Sequence, residues 1–243
     1  MMSFEARSKL TVGDIEVDVI RKDIKNLHLG VYPPDGRVRV AAPRLLDDDT
    51  IRLAVVEKLR WIRRQQDRFR SLVRQGPRTY ESGETHYFLG RPYRLRVEER
   101  EEPARVERIG DDWLRMVVRP GSTVEKRRSI MHEWYREELR QRLEPLMVQW
   151  TERLNVEPIE WRIQRMKTKW GSCSRAGRIL FNLELAKKPV QCVEYLVVHE
   201  LVHLLEPHHD DRFTDLMDRH LPNWKSLRSI LNEEPLAYET WTY

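Results

Sequence analysis

The distribution of apolar and polar residues divides the first third of the chain into strands and a helix. Apolar and polar positions alternate through residues 8–43, the period-2 pattern of half-buried strands, and a Pro-Asp-Gly turn at 34–36 predicts a hairpin. An Asp-Asp-Asp-Thr run at 47–50 then supplies N-cap candidates for a helix that is predicted to reach about Val73. The apolar residues of this helix share one stripe: Ile51, Val55, Leu59 and Ile62.

The rest of the chain continues as alternating strands and helices. Strands resume between Thr85 and Val118, interrupted by a charged stretch and by Gly110, and a long helix is predicted from about Thr123 to Leu154. Strands at 161–166 and 179–185 flank the turn sequence W-G-S-C-S-R-A-G and predict a second hairpin, followed by a helix, a loop and a closing helix. The pattern predicts an α+β fold: a β-rich region with one helix over residues 1–118, then a second region over residues 119–243. No internal sequence repeat is evident.

The helix predicted after the second hairpin carries the sequence H-E-L-V-H, formed by His199, Glu200 and His203. Helical residues four apart lie one above the other, so both imidazoles can face one ion with the glutamate beside them. The surrounding residues are apolar on nearly all sides, and uncoordinated polar groups would be costly there. Imidazole is a good zinc ligand, and a carboxylate beside a metal can accept a proton from water. The pattern predicts a catalytic zinc site in which Glu200 is the general base.

A catalytic zinc site needs a third protein ligand and an open fourth position. Pro207 disfavours a helical conformation at Glu206, so the chain should leave the helix there and turn back toward the metal. His208 and His209 follow. Four carboxylates are the rival ligands: Asp210, Asp211, Asp215 and Asp218. We favour His209, because imidazole suits zinc and the spacing H-E-x-x-H-x-x-x-x-x-H matches the metzincin interval, although Glu206 replaces the metzincin glycine.

Several segments resemble the YgjP-like family of predicted metal-dependent hydrolases, which have a metallopeptidase-like domain. The resemblance is carried by M-K-T-K-W-G-S-C-S-R-A-G-R-I-L-F-N-L-E-L-A-K-K-P, V-V-H-E-L-V-H-L and H-H-D-D-R-F, and also by V-I-R-K-D-I-K-N-L-H-L-G-V, G-R-V-R-V-A-A-P and P-N-W-K-S-L-R. The chain is similar, more distantly, to SprT-type proteases, in which a histidine four residues before a phenylalanine completes the metal site. His209 stands four residues before Phe213. The resemblance implies a zincin-like catalytic half that holds one zinc ion, or another divalent metal, and acts on peptide bonds.

Composition is typical of a compact enzyme of a reducing compartment. The chain has 243 residues, of which 40% are hydrophobic, so it can bury a substantial core. Cys173 and Cys192 are too few for a disulfide framework, and neither stands in a C-x-x-C pair. The first residues contain no apolar run typical of a secretory signal, and nowhere do about eighteen apolar residues follow one another. We therefore expect a soluble, cytoplasmic protein with no membrane partner.

The net charge of +5 and the pI of about 9.2 favour an anionic partner. If residues 163–170 form a strand, alternation places Arg165, Lys167 and Lys169 on one face, with Arg175 in the following turn. Such a row can hold phosphates, and the alternative is a solvated strand edge. Lys167, Lys169 and Arg175 are accordingly candidates for substrate or phosphate binding. Cys173 is predicted to be neither nucleophile nor metal ligand, because no base is placed beside it and a fourth ligand would close the site.

Three functions remain open on the sequence. The favoured one is a zinc-dependent, metallopeptidase-like hydrolase that acts on a polypeptide, with Glu200 as general base. The second is a metal-dependent nucleoside triphosphate pyrophosphatase in which Lys167 and Lys169 position the nucleotide, an activity to which some relatives of the resembled family have been linked. The third is a nucleic-acid-binding module with a structural zinc, against which Glu200 argues, because a structural zinc needs no base.

Overall fold

The computed structural model describes residues 6–32, 36–71, 78–166 and 169–233, which belong to two compact units. The first unit contains the described residues up to Ser71, and the second begins at Arg78. The fold is α+β, as predicted: the described strands form three mixed sheets, and six α-helices lie within the same ranges. None of the helices in these ranges has both the length and the apolar character needed to cross a membrane.

The first unit is a four-stranded sheet with two helices. Its elements are β1 (Ala6–Val12), β2 (Ile15–Lys22), β3 (His28–Tyr32), β4 (Arg37–Pro43), α1 (Asp48–Glu57) and α2 (Leu59–Ser71). The strand order is β1-β2-β4-β3, with β2 and β4 parallel and the other pairs antiparallel. Alternate residues of the two central strands, such as Val19 and Val40, are fully buried in one cluster with Ile51 and Val55 of α1. This burial confirms the period-2 pattern predicted for residues 8–43.

The single helix predicted from residue 47 is two helices. Asp47 is the N-cap, and its carboxylate accepts a hydrogen bond from the Thr50 N–H at 2.6 Å. At Lys58 the backbone leaves helical geometry, and its N–H donates to the Val55 carbonyl, three residues back, at 3.1 Å. This tighter bond ends α1 and starts α2 one residue later. Residues 72–73, and positions 34–35 of the predicted turn, lie outside the described residues.

The second unit contains two sheets and four of the described α-helices. Its elements are β5 (Thr85–Phe88), β6 (Arg91–Glu99), β7 (Arg105–Ile109), β8 (Trp113–Val118), α3 (Val124–Leu154), β9 (Glu160–Gln164), β10 (Gly171–Cys173), β11 (Arg178–Asn182), a 3-10 helix (Leu183–Lys187), α4 (Val190–Val202), α5 (Asp211–His220) and α6 (Trp224–Glu233). The sheet orders are β5-β6-β8-β7, with β6 and β8 parallel, and β10-β11-β9, with β11 and β9 parallel.

The long helix α3 packs in the core of the second unit, and its bounds agree with the helix predicted from about Thr123 to Leu154. It begins after Thr123, whose hydroxyl accepts a hydrogen bond from the Lys126 N–H at 3.3 Å, and it ends before Asn155, which has a left-handed φ of 53°. Seven residues on one face are buried: Met131, Tyr135, Leu139, Leu143, Met147, Trp150 and Leu154. The Tyr135 hydroxyl donates to the Tyr87 carbonyl at 2.7 Å and ties the helix to β5.

The division into compact units differs from the boundary that the sequence predicts at residues 118/119. Strands β5–β8 belong to the second unit, because Leu95, Leu114 and Met116 are fully buried in the same core as α3 and α4. Alternation along these strands indicates a buried face. It does not indicate which helix covers that face.

The second predicted hairpin has a different pairing. β9 lies parallel to β11, and the antiparallel partner of β11 is β10, which lies within the segment predicted as a turn. β11 ends at Asn182, whose side chain caps the 3-10 helix by accepting a hydrogen bond from the Glu184 N–H at 3.2 Å. The strand therefore stops short of Leu185.

The strand predicted over residues 163–170 is also wrong. β9 ends at Gln164, and the next described residues are irregular. The Asn182 amide donates hydrogen bonds to the carbonyls of Met166 and Lys169, at 2.8 and 2.7 Å, and so draws both ends of this segment toward one side chain. Arg165 and Lys169 consequently do not share a strand face, and Lys167 lies outside the described residues.

Candidate metal centre

Helix α4 places the first two histidines. It is buried on nearly all sides, His199 and Glu200 lie in its last turn, and His203 is its C-cap. Beyond Val202 the chain continues as a turn, in which the Glu206 N–H donates to the Val202 carbonyl at 2.9 Å. The helix therefore ends at Val202, a few residues before the end that Pro207 predicts, and the turn leads into Glu206-Pro207.

The three histidines predicted as metal ligands lie together. One ring nitrogen from each of His199, His203 and His209 lies within 4.8 Å of the other two, and the Nε2 atoms of His199 and His209 are 3.1 Å apart. His209 is held at the start of α5, because the carboxylate of Asp210, the N-cap, accepts a hydrogen bond from the Phe213 N–H at 3.0 Å. The helix end thus fixes the loop that returns the third imidazole to α4.

Neighbouring groups orient the imidazoles. Nδ1 of His203 is 3.1 Å from the Glu206 carbonyl oxygen, and Nδ1 of His199 is 3.5 Å from the Tyr195 hydroxyl. These contacts on one nitrogen leave Nε2 as the ligand atom, an arrangement common in metal sites. The Phe213 ring packs against all three imidazoles, with ring-centroid distances of 5.0, 4.9 and 4.6 Å. It therefore limits their rotation.

The alternative ligands that the sequence offers are not part of this cluster. Asp210 is occupied as the N-cap of α5, and Asp218 accepts a hydrogen bond from the Trp224 indole at 2.6 Å. His208, Asp211 and Asp215 are exposed. Among the described residues, none of the five belongs to the group that could hold a metal.

The electrostatic environment keeps His199 neutral and favours the neutral form of His209. Burial lowers the pKa of His199 to about 3, and the nearby His203 and His209 shift it in the same direction. Burial and His203 also lower the pKa of His209, and the positive charge of Arg228 adds to the shift at both residues. A neutral imidazole is the form that binds a metal.

Glu200 is buried beside the histidines, with 3% of its surface exposed. Its Oε2 atom has no hydrogen-bond partner among the described residues. Burial raises the pKa of Glu200 to about 8, although the positive charge of Lys169 opposes the shift. A buried carboxylate oxygen without a partner is costly. Together with the three convergent imidazoles, it makes a donor set that fits a divalent metal with a water molecule.

Strand β10 lies against Glu200, which the sequence does not reveal. A Cβ atom on Gly171 would be 2.4 Å from Oε1 of Glu200. Asn182, fully buried, holds the segment before β10 through the hydrogen bonds to Met166 and Lys169. Neither residue stands in a motif of metal sites, and the glycine is indistinguishable in sequence from a turn glycine.

The described members of the predicted basic row, Lys169 and Arg175, lie in different segments. Lys169 is exposed and acts electrostatically on Glu200, whereas Arg175 is exposed in the turn between β10 and β11. Cys173 is partly buried, and burial raises the pKa of its thiol, with Glu200 adding to the shift. A raised pKa makes a thiolate less available, in line with the prediction that Cys173 is not a nucleophile.

Comparisons with known proteins place the chain in a family. Among solved structures, it matches the crystal structure of the metallopeptidase zymogen abylysin of Pyrococcus abyssi at 18% sequence identity and a TM-score of 0.35, over 39% of this chain and 98% of that chain. No curated protein matches the sequence. A family model described as YgjP-like, metallopeptidase domain, matches residues 25–234. Because this match spans most of the chain, the protein belongs to the YgjP-like family.

Proposed function

We propose that this protein is a metal-dependent hydrolase that cleaves polypeptides, with one zinc ion held by His199, His203 and His209. The observation that carries the proposal is the convergence of three imidazoles beside the buried carboxylate of Glu200. Three ligands leave one tetrahedral position for water, as catalysis requires. The metallopeptidase description of the family supports a polypeptide as substrate.

Glu200 would move the protons of the reaction. A divalent cation, when bound, supplies a Lewis acid and lowers the pKa of water to about 7. The Oε2 atom of Glu200 is buried beside the histidines and free of hydrogen bonds from other described residues, so it can accept the proton of the attacking water. The same carboxyl group can then give that proton to the amide nitrogen that leaves.

Strand β10 would hold the substrate. It is an edge strand, paired on one side with β11, and no described strand pairs with its other side. An extended polypeptide can add to such an edge by main-chain hydrogen bonds, which give affinity with little side-chain selection. Since Gly171 of β10 lies against Glu200, a peptide on this edge would run beside the general base.

The two alternative functions receive no such support. A pyrophosphatase would need a row of cations to bind the phosphates. Lys169 instead lowers the pKa of Glu200 by its charge, and Arg175 lies in a separate turn. The family description names a peptidase and no nucleotide. A structural zinc would leave the buried carboxylate of Glu200 without a role. We therefore retain nucleotides only as the second arm of the activity test.

Metal content tests the ligand set without relying on activity. We expect purified wild-type protein to contain about one zinc ion per chain, and the single variants His199→Ala, His203→Ala and His209→Ala to lose it. His208→Ala is the matched control, because His208 neighbours the third ligand and lies outside the cluster. Wild-type occupancy in His209→Ala would remove this residue from the site.

Glu200→Gln tests the reaction. Glutamine keeps the size of the side chain and cannot accept a proton, so the variant should retain zinc and lose roughly 10²–10⁴-fold in turnover. Wild type and variant are incubated in parallel with a denatured, alkylated polypeptide and with nucleoside triphosphates. Cleavage of the polypeptide alone, lost in the variant, supports the proposal, whereas cleavage of nucleotides alone would replace it with the pyrophosphatase.

A further inference from the structure

Gly171 and Glu200 come from different elements and are in direct contact. A Cβ atom built on Gly171 would lie 2.4 Å from Oε1, 2.8 Å from Cδ and 2.9 Å from Cγ of Glu200. All three distances are too short for any side chain to be accommodated without movement. The carboxylate therefore occupies space that exists because residue 171 has no side chain.

The backbone around Gly171 is held from several directions. The Trp170 carbonyl accepts a hydrogen bond from the Asn182 N–H at 2.8 Å, and Gly171 pairs with the fully buried Phe181 across the two strands. The Trp170 indole donates to the side chain of Asn232 in α6 at 3.3 Å. With these restraints, the strand cannot easily recede from α4. A side chain at position 171 would instead displace the end of the glutamate, which is the flexible partner.

From this packing we propose that Gly171 is a positioning residue: the missing side chain creates the seat that holds the Glu200 carboxylate beside the three histidines. The inference rests on the proposed function, in which Glu200 is the general base. It adds a requirement that the HExxH pattern does not contain, namely a glycine on a neighbouring strand. Gly171 has no positive φ, so alanine fits its backbone, and any effect of Gly171→Ala comes from the new Cβ.

The kinetic test compares two glycine variants. In Gly171→Ala we expect kcat on a denatured, alkylated polypeptide to fall on the order of 10²-fold, because a small misplacement of a catalytic group has this cost, while KM and zinc content stay unchanged. Gly30→Ala is the matched control, because Gly30 is also a strand glycine whose Cβ would crowd a flexible side chain, at 2.8 Å from the Tyr32 ring. A Gly171→Ala enzyme with the kcat of the control would overturn the proposal.

A shorter carboxylate tests whether the effect passes through Glu200. The aspartate of Glu200→Asp withdraws the carboxylate from position 171, so Gly171→Ala should cause no further loss of kcat in that background. A merely structural role would give the same fold-loss in both backgrounds, since such effects add. An equal loss with aspartate and glutamate would therefore contradict the proposal.

Thermal unfolding of the metal-free protein tests the packing without activity. Alanine reduces the conformational entropy of the unfolded chain. In a Glu200→Ala background, where no carboxylate fills the space beside position 171, Gly171→Ala should therefore raise the Tm by about 1–4 °C. In the wild-type background the clash should abolish or reverse this rise. An equal rise in Tm in both backgrounds would contradict the inference. Normal turnover in Glu200→Gln would instead refute the general base, and the Tm comparison would still decide how Gly171 packs.

Discussion

The two four-stranded sheets share one topology and differ in what they support. In each, two antiparallel pairs are joined through a parallel contact of the second and fourth strands, giving the orders β1-β2-β4-β3 and β5-β6-β8-β7, and each sheet precedes a helix. The buried residues of the first sheet form a small hydrophobic cluster with residues of α1 and α2. The inner face of the second sheet belongs to a much larger core that includes α3 and α4. One topology thus occurs once as a separate unit and once as part of the unit that carries the histidines.

The first hairpin turn of each sheet shows how the difference arises. The turn of the β1–β2 pair contains Gly13, and a Cβ atom there would meet no described atom within 4 Å. The corresponding β5–β6 turn contains Leu89 and Gly90, whose N–H groups donate to the carbonyls of Ala186 and Lys187 at 2.9 and 3.1 Å. These acceptors belong to the 3-10 helix before α4. The same hairpin that is open in the first unit is docked beside the metal helix in the second.

This comparison indicates that topology alone does not make the second sheet a support for the site. The contacts that distinguish it are a few main-chain hydrogen bonds at one turn, the Tyr135 hydroxyl bond to Tyr87 and a shared apolar core. Matched changes in the two sheets should therefore have unequal effects on zinc binding.

The largest effect is expected from a cavity in the second core. Leu114→Ala removes a fully buried side chain of β8, and such changes cost about 2–5 kcal/mol. Val38→Ala at the second position of β4 removes a smaller buried side chain and should cost roughly 1–3 kcal/mol. We expect only Leu114→Ala to weaken zinc retention, measured by release to a chromogenic chelator in urea. Equal zinc release from the two variants would mean that the two sheets support the site alike.

A smaller effect is expected from the hairpin turns. Gly90→Ala and Gly13→Ala both force alanine into left-handed backbone, at φ values of 80° and 62°, which costs about 1–2 kcal/mol. At Gly90 the new Cβ would also lie 2.9 Å from Pro189, the residue before α4, and overpacking adds about 1–3 kcal/mol. Denaturant unfolding should show this difference. If both variants lose the same free energy of unfolding, the β5–β6 turn accommodates the new Cβ atom without added strain.

The sequence predicts those parts of the fold that depend on neighbours along the chain. The periodicity that predicts a long helix from about Thr123 to Leu154 is a local signal, and α3 is found at Val124–Leu154. No sequence signal marks the break between α1 and α2 at Lys58, because Ile62 continues the apolar stripe of α1 beyond it. Strand partners are not local either. A turn-like sequence between two apolar runs favours a hairpin, yet β9 joins β11 in parallel and β10 takes the antiparallel position.

The candidate site divides in the same way. His199, Glu200 and His203 are fixed by helical spacing, and the turn at Pro207 places His209 near them. The contact of Gly171 with Glu200 joins two elements far apart in sequence, and no spacing rule reveals it. The strand on which the basic row was placed is wrong for a related reason. It was predicted to run through residue 169, but β9 ends at Gln164, and the buried side chain of Asn182 bonds to the carbonyls of Met166 and Lys169.

The smallest predicted effect concerns pH and a histidine in each sheet. His86 of β5 is buried, with Nε2 3.1 Å from the Glu84 carboxylate, whereas His28 of β3 is exposed. Burial lowers the pKa of His86 from 6.5 to about 4; Arg78 and Lys187 add to the shift, and Glu84 opposes it. On acidification the unfolded chain therefore binds this proton before the folded protein does. The His86 contribution to stability is complete above about pH 6.5 and decreases as the pH falls toward 4. Urea unfolding of metal-free protein between these pH values should give a shallower pH dependence for His86→Gln than for wild type. If His86→Gln keeps the full wild-type slope, the acid sensitivity of the second unit must come from other groups, such as His199 and His209.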